Sequence, residues 1–171
     1  EEAVAAYGDL QKPGAKPLIT LLSYPQAPAA VSRRVDVERR LEHSRSKKIR
    51  IALLGAGSFA LSTHLPNLEK LSDLYVIHAV CSRTGHNARG IAKKFDAAYA
   101  TTDVDQLLAD PDLDAVLIAT RHNLHATLAL KALQAGKHVL VEKPLAMNQE
   151  QLDGIKAFYN GQMAGPVLLT G

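Results

Sequence analysis

The sequence predicts an α/β fold: a doubly wound parallel sheet forming a single domain with an N-terminal extension. Two observations carry the prediction. From Ile49 onward, short runs rich in Val, Ile and Leu alternate with stretches of helical spacing, giving six strands over about 125 residues, and that alternation requires crossovers between parallel strands. The first run, Ile49 to Leu54, ends in a glycine pair and passes straight into a helical pattern, the signature of a tight strand-to-helix turn.

The elements follow in order. Tyr75 to Cys81 repeats the β-rich composition, Asn87 to Phe95 has helical spacing, and Ala98 to Thr101 is a short strand. Asp103 opens a helix to Ala109, because its carboxylate can accept from first-turn amides. Asp114 to Thr120 is the clearest buried strand, its apolar run Ala115 to Ala119 of the kind covered on both faces. Leu124 to Ala135 is a helix closed by Gly136, Lys137 to Val141 a strand, Met147 to Tyr159 the last helix, and Pro166 to Gly171 a terminal strand.

Ahead of this domain the pattern differs. Glu1 to Leu10 has helical spacing and Pro17 to Leu22 is strand-like. Residues 31–50 hold eight Lys or Arg against three acids, and no aromatic residue interleaves with them. Such a stretch reads as a solvated linker before it reads as a nucleic-acid surface. The expected organisation is therefore residues 1–25 as the tail of an upstream module, 26–47 as a basic linker, and 48–171 as the sheet domain. Residue 1 is Glu and the methionines are Met147 and Met163, so the sequence reads as a piece of a longer polypeptide, cut at both ends.

Composition excludes several classes. Hydrophobic residues make up 47% and charged residues 22%, enough to bury a core. No apolar run approaches the roughly 20 residues of a membrane-spanning helix. A single cysteine, Cys81, rules out an internal disulfide and a cysteine-only metal site. The seven histidines show no ligand spacing, so no metal is expected. A cytoplasmic location is the expectation, with neither nucleic acid nor membrane as partner.

The chemistry is expected at the carboxyl ends of the strands, where such sheets bind ligands. Gly55-Ala56-Gly57-Ser58-Phe59-Ala60 is a G-x-G-x-x-A sequence in strand-turn-helix context. Gly55 serves the tight turn, Gly57 lets backbone approach a pyrophosphate, and Ser58 and Phe59 begin the helix whose free amides attract it. In this context the pattern reads as a dinucleotide-binding Rossmann turn ahead of the alternatives, an adenosylmethionine-type site or a purely structural glycine turn. At the second strand end Ser82-Arg83-Thr84 supplies no carboxylate for a ribose 2′-hydroxyl, while Arg83 suits a 2′-phosphate. The expected cofactor is NADP or NAD, with NADP favoured. Thr120-Arg121-His122-Asn123-Leu124-His125 follows the fourth strand and Glu142-Lys143-Pro144 the fifth. Cys81, in an apolar strand, reads as a buried structural thiol, and His64 and Pro66 read as architecture, Pro66 marking a break in the first helix.

Together, Gly55 to Ala60, Ser82-Arg83, Thr120 through His125, Ala135-Gly136-Lys137-His138-Val139 and Glu142-Lys143-Pro144-Leu145-Ala146 resemble the nucleotide-binding half of the glucose-fructose oxidoreductase / inositol dehydrogenase / rhizopine-catabolism (Gfo/Idh/MocA) family. The resemblance covers about residues 48–171. It implies an oxidoreductase that moves a hydride between a nicotinamide and a sugar, polyol or related hydroxy substrate, homo-oligomeric at full length, with the substrate domain missing from this sequence and the fragment inactive alone. It makes Lys143 the catalytic lysine beside nicotinamide and substrate. Thr120, His122, His125 and Glu142 become cofactor contacts, Glu142 mainly through its backbone. Arg121 and His122 stand where the family motif usually has Pro and Asn. Glu2 to Pro25 also resembles, more weakly, the final helix and strand of medium-chain, zinc-type alcohol dehydrogenases. A non-catalytic dinucleotide sensor or scaffold is the competing reading, and Lys143 discriminates the two.

Overall fold

A computed structural model describes residues 32–37, 48–160 and 164–171, all within one compact unit, 32–171. The helix and strand expected in Glu1 to Leu22, and the alcohol dehydrogenase resemblance, lie outside the described residues.

Seven strands form one sheet: β1 (Arg34–Asp36), β2 (Ile49–Leu54), β3 (Tyr75–Cys81), β4 (Tyr99–Thr101), β5 (Ala115–Ile118), β6 (His138–Val141) and β7 (Leu168–Thr170), in the order β1-β4-β3-β2-β5-β6-β7. All neighbours run parallel except β1 on β4. The chain moves outward from β2 to β4, then returns to the other side of β2 for β5 to β7. That reversal makes the gap between β2 and β5 the topological switch point, where ligands of such sheets bind.

The helices are α1 (Leu65–Lys70), preceded by a π-helical turn over Ala60–His64, then α2 (Gly85–Lys94), α3 (Val104–Leu108), α4 (His125–Gln134) and α5 (Gln149–Tyr159). Alternating strand residues feed two cores. Ala52, Leu54, Val116, Ile118, Val139 and Val141 pack with Leu107, Ala129 and Leu133 on one face. Leu53, Val80 and Leu117 pack with Ala60, Leu65, Ala88 and Ile91 on the other. Burial of the central strands on both faces explains their continuous apolar sequence. Asp103 caps α3 by accepting from the Gln106 amide at 3.1 Å, and Asn148 caps α5 by accepting from the Gln151 amide at 2.9 Å. Gly136 ends α4 at φ +75°, a conformation that costs a side chain dearly and glycine little.

Three features depart from the sequence reading. Residues 34–36, inside the stretch read as linker, form an antiparallel edge strand, with the Arg34 guanidinium 3.7 Å from the centroid of the Tyr99 ring. Three residues in a basic context carry no periodicity that betrays pairing. Pro66 does not break the first helix. The helix runs from Ser58 to Lys70 through the π turn, in which the Leu65 amide donates to the Ala60 carbonyl, so the irregularity ahead of Pro66 is a π turn inside the helix and not an end to it. Finally, β7 is shorter than the Pro166 to Gly171 run.

At the amino edge, Arg50 and Asp114 lock β2 to β5. The Arg50 amide donates to Asp114 Oδ2 at 2.8 Å, Nε to the same oxygen at 3.1 Å and Nη2 to Oδ1 at 3.1 Å, while Nη1 reaches Asp112 at 2.6 Å. These bonds from Arg50 hold the Asp114 carboxyl below its ordinary range, and the two side chains are 35% and 37% exposed, so solvent screens part of the gain. Asp114→Asn should lower unfolding free energy by about 1–2 kcal/mol. Because the folded-state pKa is depressed, this contribution is present above the unfolded value of about 3.9 and is lost as pH falls through the lower folded value. Unfolding midpoints measured across pH should therefore show a smaller acid-induced loss in the variant than in the unaltered chain.

Candidate functional site

The turn after β2 starts the site. Gly55 has φ +95°, and a Cβ there would lie 2.6 Å from the Ala119 carbonyl oxygen, so only glycine allows the turn to lie against the end of β5. The Gly55 amide donates to the Cys81 carbonyl at 2.9 Å and the Ala119 amide to the Leu54 carbonyl at 2.9 Å, so the ends of β3, β2 and β5 meet at this point. Gly57 differs: a Cβ there would meet nothing within 4 Å. It faces open space, with Ser58 and Phe59 exposed at the start of the helix. Free amides, positive helix potential and an unfilled cradle are what a pyrophosphate requires, so the turn fits a dinucleotide.

The second strand end is tied to this turn. Asn87, in the first turn of α2, donates to the Ala56 carbonyl at 3.0 Å and to Ser82 Oγ at 3.4 Å. Arg83 and Thr84 are exposed beside it, with no carboxylate among residues 82–87. Cys81, just before, is buried, and burial with the charge of Asp103 pushes its thiol up to about 11. It is an inert core residue.

The third and fourth strand ends are clasped by His125. The sequence reading places this residue against the cofactor; the structure places it fully buried at the start of α4. Its Nδ1 lies 2.9 Å from the Pro144 carbonyl oxygen and its Nε2 3.1 Å from that of Thr120. Both ring nitrogens face main-chain carbonyl oxygens, a ring N–H donating to one of them according to the tautomer, and the ring sits between the loop after β5 and the loop after β6. His122, exposed in a short 3₁₀ turn, meets the His125 ring edge-on at 5.5 Å.

Glu142 and Lys143 continue from β6, and the Lys143–Pro144 peptide is cis. The Glu142 amide donates to the Ile118 carbonyl at 3.0 Å, so it is committed to the sheet. Its side chain instead meets His64: Nε2 and Oε1 are 2.6 Å apart, with the side chains 18% and 17% exposed. Lys143 is exposed, and among the described residues nothing holds its ammonium group. His64 and Asn87 are the members that sequence reasoning missed. For Asn87 the signal was its place in the first turn after Ser82-Arg83-Thr84. For His64, paired across 78 residues, there was none.

All four strand ends face one edge of the sheet around the switch point. Residues 49–162 match the family model described as the Gfo/Idh/MocA oxidoreductase family, NAD-binding Rossmann fold. The chain belongs to the Gfo/Idh/MocA family. Its relatives include a 4-carboxy-2-hydroxymuconate-6-semialdehyde dehydrogenase of Sphingobium sp., 35% identical over 72% of this chain and 38% of the relative. Another is a myo-inositol 2-dehydrogenase of Thermotoga maritima, 30% identical over 72% and 36%. Among solved structures, a 3-ketoreductase from Actinomadura kijaniata in complex with NADP and TDP-benzene matches with a TM-score of 0.61 at 33% identity, covering 66% of this chain and 34% of that one. The WlbA dehydrogenase from Chromobacterium violaceum, in complex with NADH and UDP-GlcNAcA, matches at 0.66 and 29%, covering 75% and 36%. The chain thus spans about a third of the length of the relatives it matches. Among the described residues no group of His, Cys, Asp and Glu could hold a metal ion, and no helix is long and apolar enough to cross a membrane.

The two glycines should separate experimentally. Gly55→Ala forces a Cβ into the Ala119 carbonyl at positive φ, and it should cost about 2–4 kcal/mol in denaturant unfolding of the purified chain.

Proposed function

We propose that this chain is the dinucleotide-binding part of an oxidoreductase that moves a hydride between a nicotinamide and a sugar, polyol or related hydroxy substrate. The observation that carries the reading is the open glycine turn at the switch point, with Lys143 at the neighbouring strand end. The myo-inositol dehydrogenase and the sugar-nucleotide complexes among the relatives support the substrate class.

The bound nicotinamide would supply the hydride acceptor or donor. The chain's own residues bind, orient and handle the proton. Gly55, Gly57, Ser58 and Phe59 form the cradle for the pyrophosphate. Ser82, Arg83 and Thr84 face the adenosine ribose, where the guanidinium and the missing carboxylate favour NADP over NAD. Thr120 and His122 line the crevice on the nicotinamide side, on a loop that His125 holds in place. As a neutral amine Lys143 takes the hydroxyl proton when the carbon is oxidised, and as the resulting ammonium it returns that proton when the carbonyl is reduced. Its flexible stem, with no partner among the described residues, leaves it free to reach the reacting oxygen. The single buried Cys81 fits a cytoplasmic setting. A homo-oligomer at full length, with neither nucleic acid nor membrane involved, completes the reading.

Gly57→Val tests the site itself. The side chain enters open space, so the unfolding midpoint should stay within about 2 °C of the unaltered chain. Binding of NADP and NAD, titrated by calorimetry, should fall at least tenfold because the Cβ and methyls occupy the pyrophosphate position. Retained affinity would remove the cofactor assignment. Lys143→Ala tests the chemistry: in the longer parent polypeptide, kcat should drop by about 10²- to 10⁴-fold with dinucleotide Kd nearly unchanged. Unaltered turnover, or a parent protein with none to lose, favours the sensor reading.

A further inference from the structure

The pairing of Glu142 with His64 is not explained by the roles given above. It joins the helix that follows the glycine turn to the end of β6, across the end of β5, and so spans the nicotinamide side of the crevice. The carboxylate is boxed in. His64 covers one side, itself met edge-on by Phe59 with ring centroids 5.4 Å apart. On another side is Gly171, where a Cβ would come within 3.4 Å of Oε1. Neither neighbour brings a fixed positive charge. The cations on the loops after β5 and β6, Arg121 and Lys143, are exposed and their fields are screened by water, whereas the field of a mostly buried carboxylate is screened much less.

A dinucleotide whose adenosine end lies at Ser82–Thr84 runs across the switch point, so its other end lies toward β5 and β6. That end carries a positive charge when oxidised and none when reduced. We infer that the Glu142 carboxylate, seated by His64, is a specificity-determining group that biases the crevice toward the oxidised dinucleotide. The inference rests on the dinucleotide reading above and goes beyond it, since nothing in that reading distinguishes the two redox forms. The energy is electrostatic, and the hydrogen bond to His64 serves to hold the carboxylate in place.

The test is the ratio of dissociation constants for NADP⁺ over NADPH, and for NAD⁺ over NADH, measured on the whole chain by calorimetry. Glu142→Gln keeps the shape and a hydrogen-bonding partner for His64 while removing the charge. It should raise the oxidised-over-reduced ratio about fivefold. His64→Arg leaves the carboxylate but sets a fixed cation against it, and should move the ratio the same way. Asp112→Asn removes a carboxylate at the opposite edge of the sheet and should leave the ratio unchanged. Thermal unfolding identifies which variants are folded. A ratio within twofold of the unaltered chain in either folded Glu142 or His64 variant, or an equal shift in Asp112→Asn, overturns the inference while leaving the dinucleotide reading intact. Failure of the unaltered chain to bind any of the four dinucleotides overturns both.

Discussion

The missing side chain at Gly55 is the constraint from which the site is built. The turn after β2 lies against the carbonyl end of β5 at a distance no Cβ tolerates, and the same residue adopts a backbone conformation open to glycine at little cost. The helix that follows begins at Ser58, within a few residues of the end of β2, and the neighbouring position, Gly57, remains open. A looser turn would keep the sheet and lose the cradle.

Around that point polar side chains, buried and partly exposed, serve alignment. Arg50 and Asp114 pin the central strands together at the amino edge, so the ends of β2 and β5 emerge in register at the other. Asn87 ties the glycine turn to the loop after β3. His125, inside the protein, holds the loop after β5 to the loop carrying Lys143. Each bond is worth about 1 kcal/mol in isolation, but buried donors and acceptors that lose a partner cost more than the bond contributed. These contacts therefore act as registration points, and they leave Lys143 exposed and Gly57 facing open space. His64 and Glu142 extend the same logic to the end of β6, joining it to the helix that follows the glycine turn.

Much of this architecture was legible beforehand. The strand-helix alternation, the Asp103 cap, the Gly136 stop and the G-x-G-x-x-A turn appear close to where the residues place them. The family, too, was legible, because its motifs sit at successive strand ends and only together become specific. What was not legible was a set of partnerships. The edge strand Arg34–Asp36 has no pattern of its own and exists by pairing with β4. His125, placed by the motif beside the cofactor, turns out to be an internal brace. The amide of Glu142 belongs to the sheet and its carboxylate to His64.

The division has a physical origin. Turn geometry, capping and strand or helix preference depend on backbone sterics and on side chains a few positions apart, so the amino-acid order determines them directly. Contacts between strand ends depend on strand order and on the crossovers that bring distant segments together. Arg50 finds Asp114 across 64 residues and His64 finds Glu142 across 78, separations at which no local signal exists. The sequence alone therefore determined that a phosphate cradle and a lysine would stand at the ends of parallel strands. The tertiary structure decided which distant groups hold the strand ends together and which histidine the Glu142 carboxylate meets.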